Sequence, residues 1–196
     1  MCWEPMVEVK TYRGTQEEGL MTRNFMDRRI FLAGEITPGS ADRIVGQLLY
    51  LDAEGEDPVD ILMHSPGGEV NSGLMIYDVL RGMRCEVNLW CLGTCASMAA
   101  ILLASGKKGH RFILPHGQVM IHEPQVLSGI GGSASSIRNL SDSILRTREI
   151  TNKILAEHTG HTLAEINDAT AYDHYMGAGE AVEFGICDEI RTRIGS

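Results

Sequence analysis

Short apolar runs alternate with longer stretches of mixed apolar and polar residues along the first half of the chain. Residues 29–33, 59–64 and 87–92 are apolar runs of strand length. Each run leads, through a turn, into a stretch whose apolar residues recur at helical spacing. A strand that repeatedly passes into a helix predicts parallel strands with crossover helices. The predicted fold class is therefore α/β.

Individual residues predict where these elements begin and end. Ser40 is expected to cap the helix that follows the first strand, and Gly93 is expected to break the third strand. Residues 11–19 are polar and rich in charge and glycine, so they are expected to form a mobile loop.

The second half of the chain begins with two short strands at 111–114 and 118–122, separated by a turn of hairpin length at 115–117. A long helical stretch follows at about 136–158, and a final edge strand is predicted at 186–190. At ~1.5 Å per residue the helix extends about 35 Å, which exceeds the radius of a domain of this size. Part of it must project, and its apolar positions then need a partner, so we expect an oligomer.

Composition excludes several kinds of partner. The 196 residues are 43% hydrophobic and 22% charged, with a net charge of −9, which is typical of a globular protein. Nucleic acid and anionic membranes require clustered Lys and Arg, so neither is expected as a partner. The chain begins without a signal-peptide pattern, and no apolar run approaches the ~20 residues that span a bilayer, so we expect a cytoplasmic protein. No linker divides the chain, and residues 1–196 are expected to form one domain.

Neither metal nor cofactor chemistry is indicated. The five cysteines lack CxxC spacing and are expected to be buried thiols. His158 and His161 lie on either side of Gly160, which ends a helix, so a solvated helix end is expected rather than a metal pair. The chain has no GxxxxGK[ST] phosphate loop, so it is not expected to hydrolyse ATP itself.

Ser97 lies where an apolar strand passes into an apolar helix. The small residues of this turn allow another chain to approach, and the first helical N–H groups lie beside the hydroxyl. The pattern suits a nucleophile with an adjacent oxyanion site, but a serine that caps its own helix has the same pattern. His122 ends a strand as either a catalytic base or a surface polar residue. Asp173, in a loop, either orients the imidazole or is a solvated or capping carboxylate.

Residues 65–68, Ser-Pro-Gly-Gly, form either an anion cradle of backbone N–H groups or an ordinary turn. Cys95 is a rival nucleophile, although an apolar neighbourhood blunts a thiol. Lys107 and Lys108 are possible partners in a Ser-Lys dyad, with a solvated turn as the alternative.

An ordered set of motifs extends over nearly the whole chain from Pro5. The set comprises SPGG at 65–68, GTCASMAA at 93–100, RFILP at 111–115, VMIHEP at 119–124, HTG at 158–160 and YDHYMGAGEAVEFGICD at 172–188. In order and spacing these motifs resemble the proteolytic subunit of the Clp protease.

The resemblance implies a role for each matching residue. Ser97 is expected to be the nucleophile, His122 the general base, and Asp173 the carboxylate that holds the imidazole tautomer. The backbone N–H groups of Gly68 and Met98 are expected to be the oxyanion donors. The resemblance also implies substrate-binding positions at Gly67, Gly68, Pro124, Gln125 and Val126.

The resemblance further implies a crotonase-like fold of stacked ββα units. Its handle is a projecting helix within about 123–158, and residues 1–19 form an N-terminal axial segment. Two seven-membered rings are expected to stack around a degradation chamber. An AAA+ unfoldase such as ClpX, ClpA or ClpC would use ATP to feed unfolded polypeptides into it, so this chain needs no cofactor.

Three positions depart from the pattern of the family. Tyr172 replaces an arginine that makes ionic contacts between rings. Asp60 and Gly82 replace aromatic residues that receive the docking loops of the unfoldase, and a buried unpaired carboxylate there would be unfavourable. We therefore expect altered unfoldase docking, as in a second paralogue of a mixed assembly. The rest of the implied docking surface keeps its apolar character, at Leu62, Trp90, Leu92, Phe112 and Leu114.

Two other functions are open at this stage. One is a crotonase-superfamily acyl-CoA enzyme, which shares the two-donor oxyanion site. The other is a structural ring subunit whose catalytic residues are misaligned unless a partner subunit is present.

Overall fold

A computed structural model describes residues 5–12, 14–125 and 131–194 of the chain. Strands and helices alternate over most of its length. In chain order they are β1 (Met6–Thr11), β2 (Gly14–Gly19), α1 (Leu20–Met26), β3 (Arg29–Ala33), α2 (Pro38–Glu54), β4 (Val59–Ser65), α3 (Val70–Gly82), β5 (Val87–Ala96), α4 (Met98–Ala104), β6 (Arg111–Ile113), β7 (Gln118–Ile121), α5 (Ala134–Thr159), α6 (Leu163–Ala169), β8 (His174–Gly177), α7 (Ala178–Glu183) and β9 (Glu189–Ile190).

The main sheet has the strand order β3-β4-β5-β6-β9, and every pair along this path is parallel. The long strand β5 belongs to two parts of the sheet. Its residues 89–91 pair with β6, and its residues 94–96 pair with β7, which in turn pairs antiparallel with β8. The predicted α/β class is confirmed.

The prediction that Gly93 breaks the third strand is wrong. Strand β5 continues through Gly93 to Ala96, and its pairing with β4 changes register around Gly93 at a bulge. Cys91 lies opposite Met63 and Cys95 lies opposite Ser65, so residues 92–94 face a single residue of β4. A bulge of this kind bends a strand and redirects its end. Here the redirected end is the segment that leads into Ser97.

Three other local predictions need correction. Residues 115–117 do not close a hairpin, because β6 and β7 both run parallel to successive segments of β5. Ser40 is not the N-cap of α2, since Thr37 caps that helix and Ser40 is the third helical residue of a capping box. Residues 14–19 form the second strand of a β-hairpin with β1, rather than a loop.

Helix α5 confirms the long helix predicted at 136–158. Its buried residues begin only at Thr151, and the preceding part of the helix is mostly exposed. Apolar side chains lie on this exposed part, with 44% of Ile137 and 55% of Leu145 accessible. In the described part of the chain, no helix combines the length and apolar character needed to cross a bilayer.

Helix α4 lies at the centre of the core, and all of its residues are buried. The sheet and the surrounding helices pack their apolar side chains into the same cluster as α4. Four of the cysteines, Cys85, Cys91, Cys95 and Cys187, are buried free thiols, as predicted. The turn before α4 is therefore supported on one side by a rigid, close-packed interior.

Candidate active site

Ser97 is the single residue between β5 and α4, and its backbone is in an unusual conformation. Its φ is 54° and its ψ is −123°, which is a strained position for a residue with a side chain. The Ser97 N–H donates to Met120 O at 2.8 Å, so the turn is fixed to β7. Within the described structure the side chain makes no capping hydrogen bond. The interpretation of Ser97 as a capping serine is therefore wrong.

His122 follows directly after β7, whose residues pair with the end of β5. This pairing brings the His122 Nε2 to 2.9 Å from the Ser97 Oγ, which is hydrogen-bond distance. The His122 side chain is only 15% exposed. It is therefore a largely buried group held against the hydroxyl, and the interpretation of His122 as a surface polar residue is wrong.

Asp173 approaches the other nitrogen of the same imidazole. Its Oδ1 is 3.3 Å from the His122 Nδ1, and its side chain is 49% exposed. Strand pairing places it there, because His174 of β8 lies opposite Ile121 of β7. Among the described residues, the Nδ1 has no aligned hydrogen-bond partner, so the contact with Asp173 is close without being a well-directed hydrogen bond.

Of the two adjacent glycines at 67 and 68, Gly67 lies against the Ser97 turn and Gly68 lies against Ile36. A Cβ on Gly67 would be 2.8 Å from the Ser97 Cβ and 2.9 Å from the Met98 N. A Cβ on Gly68 would be 2.2 Å from the Ile36 O, and the φ of Gly68 is +149°. Only glycine therefore fits at either position.

The backbone hydrogen bonds around these glycines determine which N–H groups are available. Ile36 N donates to Gly67 O, and Glu69 N donates to Ile36 O, both at 2.8 Å. In such a parallel bridge the N–H of the intervening Gly68 is directed away from Ile36. Met98 is the first residue of α4, where the N–H has no partner within the helix.

Polar links that the sequence did not reveal tie the His122 and Asp173 segments together. Glu123 N donates to Thr170 O at 2.8 Å. Buried Asn152, on α5, donates to the Thr170 Oγ1 at 3.2 Å. Arg148, also on α5, lies 3.2 Å from the Glu123 carboxylate. No sequence signal distinguishes these residues from ordinary polar positions of helices and loops.

The remaining predicted substrate positions follow His122 along the chain. Pro124 is half-buried and Gln125 is exposed. Val126 lies outside the described residues, so its predicted role stays untested.

The rival nucleophile and the rival base are not supported. Cys95 is fully buried, and a hydrogen bond with Cys91, together with burial, raises the pKa of the Cys95 thiol well above its usual value. Lys107 pairs with the Glu86 carboxylate at 2.7 Å on an exposed turn. Neither group is an activated nucleophile or base.

The two histidines near the end of α5 do not form a metal site. His158 is half-buried, its Nε2 is 3.2 Å from the Tyr77 hydroxyl, and burial lowers its pKa. The His161 ring packs on Phe184, with ring centroids 4.4 Å apart. Among the residues that the structure describes, no group of three or more side chains could hold a metal ion.

The implied docking surface is only partly assembled within one subunit. Leu62, Trp90 and Phe112 form a buried cluster with Leu92 packed against it. Leu114 is half-buried just beyond β6, whereas Gly82 is exposed at the end of α3. Neither of these two belongs to the cluster.

The expectation of an unpaired carboxylate at Asp60 is wrong. The Asp60 Oδ1 accepts hydrogen bonds from the Trp90 Nε1 and the Asn88 Nδ2, both at 2.9 Å. These two donors give the carboxylate hydrogen-bond partners, so it is not left unsatisfied in the sheet.

A serine hydroxyl at a strained strand-to-helix turn, within hydrogen-bond distance of an imidazole whose second nitrogen faces a carboxylate, is the arrangement of a serine hydrolase. The family model described as Clp protease matches residues 12–193. The chain therefore belongs to the Clp protease family, its mixed α/β structure is of the predicted ClpP/crotonase-like fold, and it is a peptidase of the ClpP type. The family match favours this activity over that of an acyl-CoA enzyme.

Proposed function

We propose that the chain is a serine endopeptidase whose nucleophile is Ser97. The observation that carries this proposal is the 2.9 Å separation between the Ser97 Oγ and the His122 Nε2. The hydroxyl is not used to cap α4, so it is available to react. His122 acts as the general base, and Asp173 stabilises the imidazolium and selects its tautomer.

The reaction begins when His122 takes the Ser97 proton as the oxygen attacks the scissile carbonyl. The protonated imidazole then passes this proton to the leaving amine, which leaves an acyl-enzyme on Ser97. Water, deprotonated by His122, hydrolyses the ester and releases the second peptide. In this mechanism the Asp173 carboxylate, whose Oδ1 lies 3.3 Å from the His122 Nδ1, turns to accept a hydrogen bond from it.

The oxyanion of the tetrahedral intermediate would accept hydrogen bonds from the N–H groups of Gly68 and Met98. Support comes from the close packing of Gly67 on the Ser97 turn, which places the glycine segment beside the nucleophile. Such preorganised donors contribute much of the rate enhancement in acyl transfer.

The substrate would be an unfolded polypeptide bound as an added strand. One side of the cleft is the glycine segment at Gly67 and Gly68, and the other is the segment after β7, at Pro124, Gln125 and Val126. Backbone hydrogen bonds in this binding mode tolerate many side chains, which suits an enzyme that cuts polypeptides into short peptides.

The assembly we propose has two stacked rings of seven subunits around a chamber, formed by a single domain over residues 1–196. The exposed apolar side chains of α5, the handle helix, support a contact between rings. Residues 1–19 would lie at the axial entrance. A cytoplasmic AAA+ unfoldase such as ClpX, ClpA or ClpC would spend ATP, while this chain would use neither cofactor nor metal.

A second candidate is a ring subunit with low activity alone, which becomes active beside a paralogous subunit. The unaligned contact between the His122 Nδ1 and Asp173 favours it. Exposed Tyr172, adjacent to Asp173, would take part in the ring contact that aligns the carboxylate. Altered unfoldase docking remains a proposal that rests on the absence of aromatic side chains at Asp60 and Gly82.

Labelling with a fluorophosphonate probe tests the proposed nucleophile. The purified oligomer is expected to form a covalent adduct on Ser97, located by peptide mass spectrometry, because only an activated serine attacks this phosphorus centre. Prior denaturation should abolish the labelling. An oligomer that cleaves peptides while Ser97 remains unlabelled would contradict the proposal. Labelling that requires a paralogous subunit would favour the second candidate.

A Gly68→Ala protein is expected to lose about 10²-fold or more of its kcat/KM, which is the usual effect of losing one oxyanion donor. The new methyl group would meet the Ile36 backbone at 2.2 Å and force the glycine segment to move. Gly46→Ala, on α2, is the matched control, because nothing lies within 4 Å of its added Cβ. Kinetics on a short fluorogenic peptide, with circular dichroism as a check on folding, measure both. Equal activity in the two variants would remove Gly68 from the oxyanion site.

A further inference from the structure

The bulge of β5 precedes the proposed nucleophile by only two residues. Thr94 is the last residue of the bulge, and Cys95 and Ala96 connect it to Ser97. A two-residue extended connection has little freedom to absorb a displacement. The position of Thr94 therefore largely determines the position of Ser97.

His64 is the residue of β4 that faces this bulge. Its Nδ1 accepts a hydrogen bond from the Thr94 N–H at 3.1 Å. Its ring also covers Gly93, because a Cβ added to Gly93 would lie 2.8 Å from the same Nδ1. The backbone of His64 is fixed in turn, since its carbonyl accepts from the Gly34 N–H at 3.0 Å.

This contact replaces a hydrogen bond that a regular ladder would have supplied. In a bulge the extra residues leave the ladder locally disrupted. The His64 ring provides the acceptor that the Thr94 N–H needs on the β4 side. On its other side, the segment from Thr94 to Ala96 pairs with β7, the strand that His122 directly follows.

We propose that His64 is a positioning residue for Ser97. This inference rests on the proposed peptidase function. The imidazole fixes the bulge to β4 through Thr94, while β7 holds the following residues, so the Ser97 Oγ is kept at reaction distance from His122. In this role His64 acts through the backbone of the bulge and not by contact with the reacting atoms. An error of about 1 Å in placing a catalytic group can cost on the order of 10²-fold in rate.

The test compares three substitutions in the full-length oligomer. His64→Ala removes the acceptor and is expected to slow both fluorophosphonate labelling of Ser97 and peptide hydrolysis by about tenfold to 10²-fold. His64→Asn places a carbonyl oxygen where the Nδ1 now lies, so it is expected to restore most of both rates. His116→Ala is the control, because His116 is an exposed histidine in the turn between β6 and β7.

The outcomes separate this inference from the proposed function. If the wild-type oligomer does not label at Ser97, the proposed function fails. If the wild type labels and His64→Ala labels equally fast, the positioning role is overturned. The same conclusion follows if folded His64→Asn is as slow as His64→Ala, because the acceptor would then be irrelevant. Should His64→Ala not fold, His64→Gln moves the acceptor by one bond, and a wild-type labelling rate in that variant would also overturn the role.

Discussion

A Ser97→Ala protein is expected to fold, assemble and cleave peptides at a rate about 10⁴-fold or more below that of the wild type. The substitution removes the only atom that the proposed mechanism makes covalent with the substrate. Because the parts of a catalytic triad act as a unit, His122→Ala and the double variant are expected to lose about as much as Ser97→Ala alone. Steady-state hydrolysis of a short fluorogenic peptide measures all three.

Two controls make this expectation specific. Cys95→Ala removes the rival nucleophile, and Ser105→Ala removes a buried serine at the other end of α4, whose hydroxyl donates to Leu102 O at 2.6 Å. Both variants are expected to keep their activity per folded molecule and to be less stable than the wild type, because each residue is buried. If Cys95→Ala loses activity while Ser97→Ala keeps it, the nucleophile is the Cys95 thiol and not the Ser97 hydroxyl.

The order of strands and helices could be predicted because each buried parallel strand is apolar on both faces. The runs at 29–33, 59–64 and 87–92 all became strands of the main sheet. Gly160, which was expected to end the long helix, is the C-cap residue of α5. In each case the local sequence pattern and the tertiary structure favour the same element at the same place.

The bulge in β5 could not be predicted in the same way. Gly93 looks like a strand terminator, but its lack of a side chain instead makes room for the His64 ring. That requirement comes from His64 on the neighbouring strand β4, which is distant along the chain. Strand β2 was missed for a related reason. Its sequence, GTQEEG, contains no large apolar residue and its first four residues are exposed, so its pairing with β1 leaves no apolar alternation in β2.

The candidate site, too, could be predicted only in part from the sequence. Motif order identified Ser97, His122 and Asp173, but only the pairing of β7 with both β5 and β8 shows how they meet. Whether the Asp60 carboxylate has a hydrogen-bond partner likewise depends on the neighbouring strand, where the indole N–H of Trp90 donates to it. Sequence patterns indicate which groups exist, whereas their hydrogen-bond partners follow from strand register.

The largest expected effect on stability concerns the ion pair of Arg111 and Asp188. Only 2% of the Arg111 side chain is exposed, and its guanidinium contacts the Asp188 carboxylate at 2.5 and 2.9 Å. The Arg111 Nη1 also donates to three carbonyl oxygens, those of Ala104 at the end of α4, His158 in the last turn of α5, and Gly185 just beyond α7. One buried side chain therefore joins α4, α5, the segment after α7, and β6.

Asp188→Ala is expected to destabilise the protein by about 3–5 kcal/mol, because it leaves the Arg111 charge buried without its partner. Glu86→Ala is the matched control, since it breaks the exposed pair with Lys107, whose side chains are 46% and 69% accessible. That change is expected to cost no more than about 1 kcal/mol. Urea unfolding at one fixed protein concentration compares the free energies of unfolding. A similar loss in both variants would show that burial does not strengthen the internal pair.

The contribution of Asp188 should also depend on pH in a defined direction. Burial raises the pKa of the Asp188 carboxyl. The hydrogen bonds and charge of Arg111, together with hydrogen bonds from two backbone N–H groups, lower this pKa by more than burial raises it, so it lies below its ordinary value. A depressed folded-state pKa gives stability that is fully present above the unfolded value of about 3.9 and is lost as the pH falls through the folded pKa. The difference in unfolding free energy between the wild type and Asp188→Asn is therefore expected to be constant near neutral pH and to shrink below about pH 4. A difference that grows on acidification would mean that Arg111 does not stabilise the ionised carboxylate.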